Sequence, residues 1–122
     1  MNRPMHFEIP ADDPTRAAKF YGDVFGWQFK KWEGPMEYWM VTTGAAPAPG
    51  IDGGLMRREQ PGGGTVNTIG VESIDGAVEA IGRNGGTIVA PKMAIPGIGW
   101  LAYAQDPEGN TFGVMQNDPQ AS

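Results

Sequence analysis

The sequence predicts an α+β fold: two tandem β-α-β-β-β modules whose strands form an eight-stranded, curved, mixed sheet around a cavity, with the helices outside. Three observations lead there. Short apolar runs are separated by glycine and proline, 19 and 11 of them in 122 residues, so many short strands and turns are expected. Two segments switch to helical spacing behind a capping residue. The second half of the chain repeats the plan of the first at a spacing of about 60 residues.

The first module spans residues 1–59. MHFEIPA alternates and reads as its first strand. Asp13 is placed to cap a helix and Pro14 to occupy its first turn. Ala17, Phe20, Tyr21, Val24 and Phe25 recur at helical spacing and are expected to form its inner face. Gly26 suits a left-handed stop. WQFKKW, EYWMVTT and GGLMRRE follow as three strands, with GAAPAPGIDG as a loop. The second module spans residues 66–117, after a glycine-rich linker at 60–65 and before a tail at 118–122. TVNTIGVE is its first strand. SIDGAVEAIGRN is its helix, capped by Ser73 or Asp75, with Ile74, Ala77, Val78 and Ile81 inward. TIVAPKMAI, WLAYAQ and TFGVMQ are its last three strands. Gly54-Leu55-Met56 matches Gly113-Val114-Met115, and Trp39-Met40 is matched to Trp100-Leu101.

Composition narrows the function. With no cysteine there is no disulfide, thiolate metal site or cysteine nucleophile. The lack of cysteine, and the absence of an apolar run after the first arginine, fit a cytoplasmic protein. No run approaches the roughly 20 apolar residues of a membrane helix. A net charge of −5 without a basic stripe argues against nucleic acid or an anionic membrane as partner. A small organic molecule in the cavity is the expected partner.

Strand alternation assigns the faces. Phe7 and Ile9 should pack under the first helix, which turns His6 and Glu8 to the cavity. Ile69 and Val71 should take the core of the second module, which leaves Val66, Thr68 and Gly70 facing inward. Glu8 and Thr68 occupy equivalent positions. Aromatic walls are expected from Trp39 and Trp100, and from Tyr38 or Tyr103. Glu8 is a candidate general base if the cavity desolvates it; a salt bridge to Arg57 or Arg58 would make it structural instead. Neither serine, Ser73 or Ser122, has a base partner for nucleophilic work.

HFEIPADDPTRAAKFYGDVFGW, VESIDGAVEAIGRNGGTIV and AQDPEGNTFGVMQ together resemble the vicinal oxygen chelate superfamily of glyoxalase I, bleomycin-resistance proteins and extradiol dioxygenases, and most closely its glyoxalase-like subgroup. The resemblance implies a homodimer. It also implies a divalent metal with two ligands from each module, on the first and last strands. Carried over, His6 falls on the first position and Val66 on its counterpart. The last-strand positions fall on Gly54 and Gly113. One ligand position of the four is retained, and a catalytic metal normally has about three protein ligands. No cofactor is therefore expected, a divalent metal being the less favoured alternative. Gly54 and Gly113 instead leave room for a ligand. Three readings follow in order: a metal-independent small-molecule binding protein, a metal-free isomerase or lyase using Glu8 and His6, and a metal-dependent glyoxalase or dioxygenase.

Overall fold

A computed structural model describes residues 1–59 and 63–122; three residues of the expected linker, 60–62, lie outside it. Among the described residues there are eight strands of mixed sheet and two helices, in the predicted order. They are β1 (Arg3–Ala11), α1 (Pro14–Phe25), β2 (Gln28–Lys31), β3 (Tyr38–Thr42), β4 (Gly53–Arg57), β5 (Val66–Gly70), α2 (Ile74–Arg83), β6 (Thr87–Ile95), β7 (Gly99–Gln105) and β8 (Thr111–Asn117).

The chain divides into two compact units. The first is His6–Thr65. The second is Val66–Ser122 together with Met1–Met5, where the sequence reading put residues 1–5 in the first module. The Asn2 N–H donates to the Gly70 carbonyl at 2.6 Å, and this tie holds the N-terminal residues to β5.

In the first unit the strand order is β2-β3-β4-β1. β1 and β4 run parallel, with Glu8 beside Gly54 and Ile9 beside Leu55. β3 is antiparallel to β4, with Tyr38 opposite Met56 and Met40 opposite Gly54. The core is Ala11, Val41 and Leu55, with Phe7, Ile9, Trp27, Phe29 and Trp39 packed against it. The second unit has the order β5-β8-β7-β6. β5 and β8 are parallel, and Thr68 lies beside Gly113. Its core is Val71, Ile74, Ala102 and Val114, joined by Ile69, Ala77, Val78, Ile81 and Trp100.

Both helices begin as local chemistry dictates. Asp13 accepts the Arg16 N–H at 3.2 Å, with Pro14 in the first turn, so one orphan amide is satisfied and Pro14 forfeits nothing. Ser73, not Asp75, caps α2 and accepts the Gly76 N–H at 3.1 Å. Gly26 closes α1 in the left-handed region, at φ 75. That turn brings Trp27 back beneath the helix, where its ring stacks on Tyr21 at 5.0 Å and 6°.

The inner face of α1 differs from the expected one. Ala17 and Ala18 pack on the core, while Phe20, Val24 and Phe25 are 57%, 55% and 61% exposed. Two alanines let the helix approach the sheet closely, and the Tyr21–Trp27 stack fills the space beside them. The face therefore rotates toward Ala18, and Phe20 and Val24 are left at its edge. The match of Trp39 to Trp100 also fails. Trp39 lies opposite Leu55 on β4, and Ala102 lies opposite the equivalent Val114 on β8, so Ala102 is the true counterpart of Trp39.

Substitution separates the core beneath α1 from the helix's exposed edge. Leu55→Ala removes a side chain with no exposure and should cost about 2–5 kcal/mol in urea unfolding. Val24→Ala should stay within about 0.5 kcal/mol, as surface positions do.

Candidate functional site

β1 turns His6 and Glu8 to the face of the first unit's sheet that α1 does not cover, because Phe7 and Ile9 on the same strand are held by the core. On β3, Val41 is buried and Trp39 packs with it, so Tyr38 and Met40 share the face of His6 and Glu8. On β4, Leu55 takes the core, and Gly54 and Met56 face the other way.

Tyr38 joins these groups. Its hydroxyl donates to Glu8 Oε2 at 3.0 Å and lies 2.8 Å from His6 Nε2. A phenol has one proton. With that proton on the bond to Glu8, His6 Nε2–H must be the donor to the phenol oxygen. The arrangement is a directed relay: imidazole to phenol to carboxylate. Burial pushes the His6 imidazole below its ordinary value of 6.5, and the nearby Glu8 and Asp52 carboxylates pull it part of the way back. At neutral pH the ring is therefore neutral and its second nitrogen, Nδ1, carries a lone pair.

Gly54 makes the relay possible. A Cβ at this position would overlap the Tyr38 hydroxyl. Tyr38 sits opposite Met56, two residues along from Gly54, and a tyrosine is long enough to reach such a diagonal neighbour. The space expected to be open for a ligand at Gly54 is thus filled by the phenol. Arg57 and Arg58, the candidate partners of Glu8, pair instead with Glu37 and Asp12.

The second unit repeats this geometry with different chemistry. Thr68 stands where Glu8 does, buried at 2% exposure, beside Gly113. Val66 takes the position of His6 and carries no donor or acceptor in its side chain. A Cβ at Gly113 would lie 3.0 Å from Thr68 Oγ1 and 3.4 Å from Tyr103 Cε1, so Tyr103 is the aromatic group on this face.

The expected tryptophan walls are a correction. Trp39 packs on the core of Ala11, Val41 and Leu55. Trp100 packs on the core of the second unit, donates from Nε1 to Asp118 at 2.9 Å, and carries the Lys92 ammonium 4.6 Å from its ring centroid. Tyr38 and Tyr103 face the sites, Trp39 and Trp100 face the cores, and the Trp32 ring meets Tyr38 edge to face at 6.3 Å. Met40, 53% exposed, and Met56 complete the first unit's face with two thioethers; the sequence reading singled out neither.

The residues present do not fit the metal shell that the resemblance implies. His6 Nε2 and Glu8 Oε2, the donors nearest Gly54, are both directed at the Tyr38 hydroxyl. Gly54, Val66 and Gly113 offer no side-chain donor. Among the described residues no three His, Cys, Asp or Glu side chains come together, and no helix is long and apolar enough to cross a membrane.

Two substitutions test the relay. Tyr38→Phe deletes both hydrogen bonds and leaves Glu8, 8% exposed, to find other donors; Gly54→Ala displaces the phenol. Each should cost about 2–4 kcal/mol in denaturant unfolding. Acidification tests His6. A histidine lowered in the folded state contributes stability above 6.5, and that contribution falls as the ring protonates. The stability of the wild type relative to His6→Gln should therefore decline between about pH 7.5 and about pH 5. A difference that is constant or grows on acidification would contradict the neutral ring.

Comparison with known proteins gives a consistent picture. Residues 3–44 match the family described as bleomycin resistance protein-like N-terminal. A glyoxylase-like domain-containing protein of Didymella fabae is 34% identical over 112 residues, 88% of each chain. Among solved structures, a hypothetical protein from Bacillus halodurans C-125 superposes with a TM-score of 0.74 at 16% identity, over 98% of this chain and 97% of the other. A variant of Streptomyces coelicolor methylmalonyl-CoA epimerase, in complex with 2-nitronate-propionyl-CoA, gives 0.70 at 14% identity, over 96% and 98%.

Proposed function

We propose that this chain, which belongs to the glyoxalase-like and bleomycin-resistance-like family of the vicinal oxygen chelate superfamily, is a metal-independent binding protein for a small organic molecule. The observation that carries this reading is the Tyr38 hydroxyl, seated over Gly54 and bonded to both His6 and Glu8. The ligating atoms that would hold a metal satisfy a protein hydroxyl instead. Met40 and Met56 share the sheet face of Tyr38 and offer soft, adaptable apolar surface there. That surface suits a largely apolar ligand carrying one polar group for the relay. The structurally similar epimerase, in complex with 2-nitronate-propionyl-CoA, supports a ligand on this fold but not its identity. A cytoplasmic homodimer is part of the same proposal.

The relay itself favours a second reading. A neutral imidazole coupled through a phenol to a carboxylate can accept a proton at Nδ1 and share the resulting charge with Glu8. This is the arrangement a metal-free isomerase or lyase would use. Exchange of solvent deuterium into a bound carbon acid, lost in Glu8→Gln, would place this reading first. A metal-dependent glyoxalase or dioxygenase is the least compatible with the donor set.

A melting scan separates the metal-free readings from the metal-dependent one. A metal at about a hundred times its dissociation constant adds roughly 2.7 kcal/mol, on the order of 10 °C for a domain of this size. Mn²⁺, Co²⁺, Ni²⁺, Zn²⁺ and EDTA should each leave the midpoint within a degree or two. A shift on the order of 10 °C with one of these metals would reject metal independence. Engineering gives a sharper expectation. Gly54→Glu alone should not create a metal site, because the phenol occupies the space. Gly54→Glu with Tyr38→Ala frees His6 and Glu8 and adds a third donor, and Ni²⁺ affinity measured by calorimetry should rise at least tenfold over the single variant.

A further inference from the structure

A hollow of about 390 Å³ opens on the helix-bearing side of the first unit, the side away from the Tyr38 relay. Its apolar wall is Ile9 from β1 and Ala17 from α1, and its aromatic edge is Phe20 and Tyr21. The two rings meet edge to face at 5.2 Å. Tyr21 is held in turn by its stack on Trp27, so this edge is rigid. The volume lies within the usual range for small-molecule sites, roughly 300–1,000 Å³.

Of the four charged side chains around the hollow, Asp12, Asp13, Arg16 and Arg58, three are held by partners within the protein. Arg58 is anchored: it donates to the Asp12 carboxylate at 3.0 Å and to the carbonyls of Pro10 and Gly63. Asp12 is thereby neutralised. Asp13 accepts the backbone N–H of Arg16 and is spent on the positive end of α1. Arg16 lines the same hollow, and among the described residues its guanidinium has no ion-pair or hydrogen-bond partner. One turn further along the helix stands Phe20, 57% exposed. A cation and an uncovered ring, one turn apart on one helix edge, present the two halves of a recognition element. A guanidinium prefers a carboxylate, which it can bind through two parallel hydrogen bonds. An exposed phenyl face prefers another ring.

We propose that this hollow is a second binding site, taking a small aryl carboxylate with its ring against Phe20 and Ala17 and its carboxylate on Arg16. The site is independent of the Tyr38 relay and of the function proposed there. It also accounts for the position of Phe20: the sequence pattern directs it to the core, the structure leaves it uncovered, and a bound ring would cover it.

The test is a titration of the ¹⁵N-labelled full chain with three probes of one size: benzoate, benzylamine and benzyl alcohol. Benzoate should shift the amide signals of Arg16, Ala17 and Phe20 saturably and bind more tightly than the other two. Arg16→Gln should raise the benzoate Kd at least tenfold, since it removes a charge-assisted bond while leaving the backbone cap and helix propensity in place. Phe20→Ser should also weaken binding, with the protein still folded because the ring is at the surface. The proposal is overturned by tighter binding of benzylamine or by benzoate affinity unchanged in Arg16→Gln. Saturable shifts confined to the signals of His6, Glu8 and Tyr38, or no saturable shift at all, would overturn it equally. Failure here is distinguishable from failure of the relay reading, because the two sites share no residue and their amide signals report separately.

Discussion

The organisation of the first unit turns on a missing side chain. Gly54 lies at the centre of three strands, beside Glu8 on one flank and Met40 on the other. Without a Cβ there, the face has a depression one methyl deep in the middle of a pleated surface. Tyr38 reaches into it from the next row of β3 and ends between an imidazole and a carboxylate. A buried carboxylate and a half-buried imidazole are joined by one hydroxyl. The constraint is mutual: the glycine is required by the phenol, and the phenol's position makes sense only with the glycine.

The two units show how one backbone plan can carry two chemistries. In both, a first-strand residue lies beside a last-strand glycine: Glu8 with Gly54, and Thr68 with Gly113. In the first unit the pair supports a charged relay. In the second it carries a hydroxyl beside an aromatic ring, with Val66 where the imidazole would be. The acid–base capacity is therefore confined to the first unit. A single imidazole and a single carboxylate, coupled through one phenol, favour one direction of proton movement and not a symmetric exchange between two bases. This asymmetry would matter for any chemistry on this face, and for simple binding it would orient a ligand.

Much of the fold was legible because its signals are local. Asp13, Pro14 and Gly26 mark the ends of α1 through their own backbone chemistry, without reference to the rest of the chain. The Gly-Leu-Met and Gly-Val-Met triplets aligned the last strands of the two modules, and that alignment made Glu8 equivalent to Thr68. What could not be read is what depends on contacts across strands. EYWMVTT places a tyrosine beside a tryptophan, and either could face the core. The choice is made by the register of β3 on β4, which buries Val41 and with it Trp39. The long loop between those strands gives no rule for that register. The inner face of α1 was missed for a related reason. Periodicity finds a wide apolar stripe, but the closest approach to the sheet selects Ala17 and Ala18 within it.

The same distinction explains why the site looked like a vacancy. Reading along strands, a glycine at a ligand position is an absence, and an absence suggests room. Across strands it is an invitation to the nearest long side chain two rows away. Four of the large aromatic groups then sort by their polar atoms. Trp39 and Trp100 are mostly hydrocarbon; they cover the cores, and the Trp100 N–H is carried out to Asp118. Tyr38 and Tyr103 have a hydroxyl at the far end of the ring and occupy the opposite faces. A phenol can span the distance to a polar pair and still contribute an apolar ring to the wall around it. An indole on the same strand would have to point its N–H sideways and would leave His6 and Glu8 without a shared partner. Tyrosine at position 38, with glycine at 54, is therefore the combination that lets one hydroxyl join a histidine and a glutamate on this face.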